Sequence, residues 1–266
     1  MSGTLLGRTA IVTGGATLVG RGVVEALRDE GATVVIADID AEGANAIADG
    51  MDGVESIPTD VTQDDQVQKL VAEVAERHGG IDILVNLACT YLDDGADTAP
   101  SDWLTAFDVN LVGAVRMAQA CRPHLAATGK GAIVNFTSIS SKVAQTGRWV
   151  YPASKAALVQ VTRSMAMDWA GDGIRVNSVS PGWTWSKIMD DLSEHNRELT
   201  DSVAADFHLT RRVGDPVEVG RVVAFLCSDA ASVVTGADWA ADGGYSAMGP
   251  EQSVPAIPRL IPADKN

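Results

Sequence analysis

Thr9-Ala-Ile-Val-Thr13, followed by Gly14-Gly-Ala-Thr-Leu-Val-Gly20-Arg-Gly22, is the stretch that decides the fold. A short β-rich run ends in a glycine-bearing turn, and an amphipathic helical stretch, Gly20 to Glu30, follows. The run is uninterrupted rather than alternating, which marks a strand buried on both faces, as in a parallel sheet covered by helices. A glycine turn before a helix brings backbone N–H groups and the positive end of the helix dipole to a pyrophosphate. A tight turn that needs glycine only for its dihedral angles gives the same letters.

The same rhythm continues along the chain. Strands are expected at Thr9–Thr13, Thr33–Asp38, Val54–Pro58, Ile81–Leu87, Ala132–Thr137, Arg175–Val179 and Ala237–Ala240. Helical stretches are expected at Gly20–Glu30, Glu42–Asp49, Gln63–His78, Ser101–Thr128, Tyr151–Ala170 and Pro216–Ser228. Regular β-α alternation with right-handed crossovers gives an α/β fold, a doubly wound parallel sheet of Rossmann type in three layers. Residues 1–246 are expected to form one cofactor-binding and catalytic domain. The polar, helix-prone segment 183–213 interrupts the alternation and is expected to be a substrate lid. The proline-bearing tail, 247–266, reads either as a surface arm reaching a neighbouring subunit or as a frayed terminus.

Composition narrows the function. Of 266 residues, 46% are apolar and 5% aromatic, enough for a substantial core. No apolar run approaches the roughly 20 residues that span a bilayer. No charged leader precedes a long apolar block, so no secretory signal is expected. The net charge of −15 repels nucleic acid and anionic lipid heads. Cys89, Cys121 and Cys227 are scattered, have no metal-ligand spacing and cannot all pair, as suits a reducing cytoplasm.

Chemistry enters at Tyr151-Pro-Ala-Ser-Lys155. Four residues make about one helical turn, so Tyr151 and Lys155 share a face. A neighbouring ammonium favours phenolate over phenol, and a tyrosine with an ordinary pKa of roughly 10 needs such help to act as a base. Lys155 is therefore expected to lower the pKa of Tyr151. Ser138, just past an apolar strand, offers a hydroxyl to a substrate oxygen. With Ser138 thirteen residues before the tyrosine, the trio resembles the active site of the short-chain dehydrogenase/reductase family.

That resemblance covers nearly the whole chain. The family loop Thr-Gly-x-x-x-Gly-x-Gly is matched at Gly14 and Gly20, with Leu18 in place of the middle glycine. Leucine there costs roughly 1–2 kcal/mol if the backbone must take a positive φ; if only close approach is needed, the side chain can turn aside. The resemblance implies that Gly14, Thr17, Leu18 and Val19 meet the pyrophosphate, and that Asp60 and Val61 meet the adenine. Asp38, closing the second strand, implies a ribose contact and NAD rather than NADP, since no arginine stands beside it to take a 2′-phosphate. Asn86-Leu-Ala-Cys89 stands where the family has Asn-Asn-Ala-Gly, matched at Asn86 and Ala88. Asn110 implies a helix amide holding a proton-relay water, and with Ser138, Tyr151 and Lys155 it completes the expected catalytic set. Tyr151 and Lys155 also face the cofactor, and Pro181, Gly182 and Thr184 wall the nicotinamide.

Trp149, Trp183 and Trp185, with Gln145, are expected to line the substrate pocket. Such clustered rings suit a flat apolar or sugar-like ring, although rings that merely pack the lid would look the same. The expected activity is NAD-dependent hydride transfer between a secondary alcohol or ketone and nicotinamide, without a metal, in a cytoplasmic homotetramer. An NADP-preferring carbonyl reductase, a non-catalytic cofactor-binding regulator and an epimerase or dehydratase are the alternatives.

Overall fold

The computed structural model describes residues 3–249. Seven parallel strands form one sheet in the order β3-β2-β1-β4-β5-β6-β7. They are β1 Thr9–Thr13, β2 Thr33–Asp38, β3 Val54–Pro58, β4 Ile83–Asn86, β5 Ala132–Phe136, β6 Arg175–Pro181 and β7 Asp238–Ala241. The chain reverses its winding between β1 and β4, where Val12 pairs with Val85 and Thr13 with Asn86. In sheets of this kind ligands bind beyond the carboxyl ends of the strands at that reversal.

Alternate residues of β1 serve opposite faces. Ala10 and Val12 join a core with α1 (Leu18–Asp29), α2 (Ala41–Asp49) and α9 (Pro216–Cys227), whereas Ile11 joins a core with α3 (Asp64–His78), α5 (Ala114–Thr128) and α6 (Val150–Asp168). This is the doubly wound α/β arrangement. Between β6 and α9, segment 183–213 carries α7 (Lys187–Leu192) and α8 (Arg197–Ala204). Residues 250–266 of the expected tail lie outside the described residues.

The expected helix Ser101–Thr128 is not one regular α-helix. α4 (Pro100–Phe107) passes through a π turn at Asp108–Gly113 into α5. The extra residue in that turn carries Asn110 inward, where it is buried. Its Oδ1 accepts from the Thr90 amide at 2.7 Å, and its Nδ2 donates to the Thr90 carbonyl at 3.0 Å. A two-way clamp on a distant loop thus accompanies the local deviation, as π turns often do at functional sites.

The helices end where the chain supplies caps. Asp215 and Glu218 form a reciprocal capping box at α9, with Pro216 in the first turn. Arg8 and Arg175 donate to the Cys227, Leu226 and Ser228 carbonyls, satisfying the far end of α9. The α1–α9 crossing is nearly backbone on backbone. A Cβ at Gly220 would lie 2.3 Å from the Gly22 carbonyl oxygen, and one at Gly22 would lie 2.4 Å from the Pro216 carbonyl carbon. Gly220→Val should therefore force the helices apart and lower stability by about 1–3 kcal/mol or more. A urea midpoint unchanged from wild type would show that the seam can yield.

Candidate functional site

The β1–α1 turn has the shape a phosphate needs. Gly14 has φ +71°, and a Cβ there would lie 2.7 Å from the Ala88 backbone; one at Gly20 would lie 2.4 Å from the Gly14 carbonyl oxygen. Thr17 caps α1, accepting from the Gly20 amide at 3.0 Å and donating to the Gly14 carbonyl. The Leu18 and Val19 amides, in the same first turn, meet no acceptor among the described residues. Two unpaired amides at the head of a helix, beside glycines that cannot carry a Cβ, fit a dinucleotide's pyrophosphate. Leu18 itself opens the helix without a positive φ and is 39% exposed. The strain considered for leucine at this position does not arise.

Asp38 ends β2 beside that turn. Its carboxylate accepts from the Ala16 amide at 2.9 Å and the Asp40 amide at 3.0 Å. Each oxygen keeps a lone pair for a further donor. Arg21 is turned to Glu25 at 2.9 Å, one helical turn along. Asp60 folds back on Thr62, accepting from its amide and hydroxyl. Val61 is buried against Gly113.

The central strands are tied by polar side chains. Thr13 Oγ1 accepts from the Leu87 and Ala88 amides. Asn86 donates to Asn135 Oδ1 at 2.9 Å and to the Ala114 carbonyl at 3.2 Å, while its own Oδ1 is buried without a partner. Asn86 therefore joins β4 to β5 and α5, with one acceptor left over.

Lys155 is buried within α6, and its Nζ donates to the Phe136 carbonyl at 2.8 Å. The same Nζ lies 5.6 Å from the centre of the Tyr151 ring. Ser138 and Tyr91 stand beside the Tyr151 hydroxyl and favour its ionised form. Ser138 is fixed at the head of a short turn, accepting from the Ser140 amide. Asn110 reaches the group indirectly, donating to Ser154 Oγ at 3.2 Å, which in turn donates to the Tyr151 carbonyl.

The electrostatics correct one expectation. The Tyr151 pKa is raised rather than lowered: burial, followed by the neighbouring Cys89, raises it, against the opposing pull of Ser138, Tyr91 and Arg148. Lys155 is itself held below its ordinary value by burial. The protein's own groups thus keep the phenol protonated at neutral pH.

The aromatic residues divide. The ring stacked on Tyr151 is Tyr91, with centres 4.9 Å apart. Trp149 is 55% exposed ahead of α6. Trp183 packs against Phe207 and His208. Trp185 lies under the Arg197 guanidinium at 4.9 Å, inside segment 183–213, and Arg197 pairs with Asp201 and Asp215. Gln145 forms a narrow bridge with Arg148. Pro181 ends β6, and Gly182 has no room for a Cβ beside Asp242 and His208. Thr184 is buried, its hydroxyl turned to the Gly182 carbonyl.

Two residues matter more than their letters suggested. Asp93 accepts from the Trp149 and Tyr151 amides at 2.9 and 2.8 Å, so a remote carboxylate holds the start of α6. Although partial burial opposes it, these amides, with those of Val150 and Gly95, hold its pKa below the ordinary value. Only its place in an acidic loop, Asp93-Asp94, hinted at a cap. His208 is buried rather than a free cation. Its Nε2 accepts from the Trp183 amide at 3.2 Å, so the ring is neutral with its proton on Nδ1, 3.1 Å from the Ala204 carbonyl.

The site can now be set beside known proteins. A family model described as enoyl-(acyl carrier protein) reductase matches residues 14–246. The chain belongs to the short-chain dehydrogenase/reductase family. It is 36% identical to cis-4-hydroxycyclohexanecarboxylate dehydrogenase of Sinomonas cyclohexanicum, over 91% of this chain and 97% of that protein. It is 35% identical to NAD-dependent glycerol dehydrogenase of Listeria innocua, over 90% and 94%. The crystal structure of gox2181 superposes with a TM-score of 0.84 at 37% identity, covering 91% of this chain and 97% of that one. The protein is thus an NAD(P)-dependent oxidoreductase acting on a small organic substrate. Among the described residues no helix is long and apolar enough to cross a membrane, and no cluster of His, Cys, Asp and Glu is arranged to hold a metal.

His208 gives the site a pH signature. Burial, opposed by the Ala204 carbonyl and Asp242, lowers its pKa below the ordinary 6.5. The unfolded chain therefore takes up this proton first as pH falls. Stability from neutral His208 is full above about 6.5 and is lost as pH drops through the lower folded value. His208→Gln should flatten the fall in urea midpoint between about pH 7.5 and about pH 5.5. An unaltered slope would assign the acid loss to other groups.

Proposed function

We propose that this protein is an NAD-dependent dehydrogenase of ring-bearing secondary alcohols, working in reverse as a ketone reductase, with Tyr151 as general base and acid. One observation carries the reading: the Tyr151 phenol, with Ser138 beside it, has the buried Lys155 ammonium next to its ring. When bound, oxidised nicotinamide supplies the hydride acceptor and a positive charge. Burial holds the Tyr151 proton in place until such a charge favours the phenolate. Ser138 orients the alcohol oxygen, Tyr151 takes its proton, and Lys155 steadies the phenolate while facing the cofactor ribose. In reduction Tyr151 returns the proton to the carbonyl oxygen.

Gly14, Thr17, Leu18 and Val19 would hold the pyrophosphate, Asp38 the ribose diol, and Asp60 and Val61 the adenine. Asn86 and Ala88 would flank the dinucleotide; Pro181, Gly182 and Thr184 would wall the nicotinamide. NAD is favoured because the Asp38 carboxylate, fixed by two amides, repels a 2′-phosphate, and Arg21 is engaged elsewhere. A ring substrate is supported by Tyr91, stacked on Tyr151, and by the exposed Trp149 just ahead of α6. Two relatives are named for ring compounds, the hydroxycyclohexanecarboxylate enzyme and mouse L-fucose dehydrogenase, 31% identical over 96% of this chain and 96% of that protein. Segment 183–213 would act as the lid, anchored by His208 and Arg197. A cytoplasmic homotetramer is part of this reading. Exposed Leu104 and Met167, on α4 and α6, are apolar surface that a partner would cover.

Tyr151→Phe should lower turnover of cyclic secondary alcohols by about 10²–10⁴, followed by absorbance of the reduced cofactor. Activity kept within a few-fold would remove Tyr151 from the reaction. Asp38→Ser should weaken NAD binding by about 10–100-fold, the worth of hydrogen bonds to a charged group, and tighten NADP binding. Titration calorimetry with both cofactors reads this, and an unchanged preference would take Asp38 out of the selection.

A further inference from the structure

The loop after β4 departs from the family pattern at Cys89, and two residues later it carries Tyr91, which the reading above uses only as pocket wall. Asn110 grips both backbone groups of Thr90 on one side of that tyrosine. On the other side Asp93 binds the Trp149 and Tyr151 amides at the head of α6. A residue anchored on both flanks is held in register with the helix that bears Tyr151. The Tyr91 ring lies on the Tyr151 ring, centres 4.9 Å apart and planes 27° from parallel, with 49% of the residue still exposed. The stack sets its hydroxyl beside that of Tyr151, with the Cys89 side chain near both.

We propose that Tyr91 is a positioning residue for the general base, its stacked ring fixing the Tyr151 ring and its hydroxyl donating a hydrogen bond to the Tyr151 oxygen when that oxygen is ionised. The inference rests on the reading of Tyr151 as base. A phenolate accepts hydrogen bonds and cannot donate, so a neighbouring O–H stabilises it directly. Tyr91 is fit to remain the donor. The neighbouring Cys89 and an ionised Tyr151 both resist its own ionisation, so the pair gives up one proton, from Tyr151. The other groups facing this pair are Ser138, the Arg148 guanidinium, the Lys155 ammonium and the Asp93 carboxylate at the helix head. None is altered by removing the Tyr91 oxygen.

Tyr91→Phe keeps the ring and deletes the hydroxyl. In the enzyme with NAD, alcohol oxidation should lose about tenfold in kcat near neutral pH, with KM within about threefold. The rising limb of the pH–rate profile should move to more alkaline pH by about one unit, the shift that corresponds to tenfold. The chain has three tyrosines, so an ultraviolet titration of the cofactor-free protein can follow Tyr151 without turnover. In Tyr91→Phe the first phenol of the pair to ionise should do so at higher pH than in wild type. A kcat loss with an unmoved limb and an unmoved phenol titration would overturn the proposal, because a merely structural tyrosine would behave that way. Unchanged kcat would overturn it as well. Tyr151→Phe run beside it keeps the two ideas apart. If that variant stays active, the reading of Tyr151 fails; if it is inactive while Tyr91→Phe matches wild type, only the role of Tyr91 fails.

Discussion

A buried ammonium must be met by acceptors, and that requirement fixes the active side of this molecule. Taking a charge out of water costs several kcal/mol unless hydrogen bonds offset it. Lys155 meets the cost at the Phe136 carbonyl, at the end of β5. α6 can rest on the sheet only where that bond forms. Tyr151, one turn earlier on the helix, is thereby placed over the end of β5, and Ser138, two residues beyond Phe136, is placed against it. Asp93 then holds the head of the same helix through backbone amides. The placement of Tyr151 and Ser138, the side chains proposed to react, follows from one charge and one carboxylate.

Much of this was legible in the letters. The uninterrupted runs at Thr9–Thr13 and Thr33–Asp38 gave strands with the bounds observed, because burial on both faces leaves no polar position to confuse the reading. Asp38, Gly14 and Gly20 could be placed because strand, turn and helix follow one another locally. Local order does not determine which groups from distant segments share a pocket. The π turn at Asn110 goes with a clamp on Thr90, twenty residues away. The Tyr151 phenol is raised rather than lowered because it is buried and has Cys89 beside it, surroundings no spacing within Tyr-x-x-x-Lys encodes. The same limit applies to Trp185, which found Arg197, and to His208, which is buried by the wall it supports.

His208 also shows how segment 183–213 is joined to the sheet. Its ring receives the Trp183 amide and packs beside Gly182, Gly243 and Tyr245, so the exit from β6 and the turn after β7 meet on one imidazole. Asp242 closes that turn by accepting from the Gly244 and Ser246 amides. The segment proposed as a lid thus has a firm root, while Ile188 and Leu192 on α7 stay exposed. Gating motions in enzymes commonly pair a fixed base with such an edge.

The glycine seam between α1 and α9 has a consequence for biosynthesis. Gly22 belongs to the first helix made and Gly220 to one of the last, yet their backbones nearly touch. During translation the face of α1 that meets α9 stays uncovered until α9 has been made. Partners so far apart in sequence slow the search for the native state and lengthen the interval in which apolar surface can stick to other chains. An enzyme fastened like a clasp between two helices far apart in sequence gains its final cohesion only once both have been made.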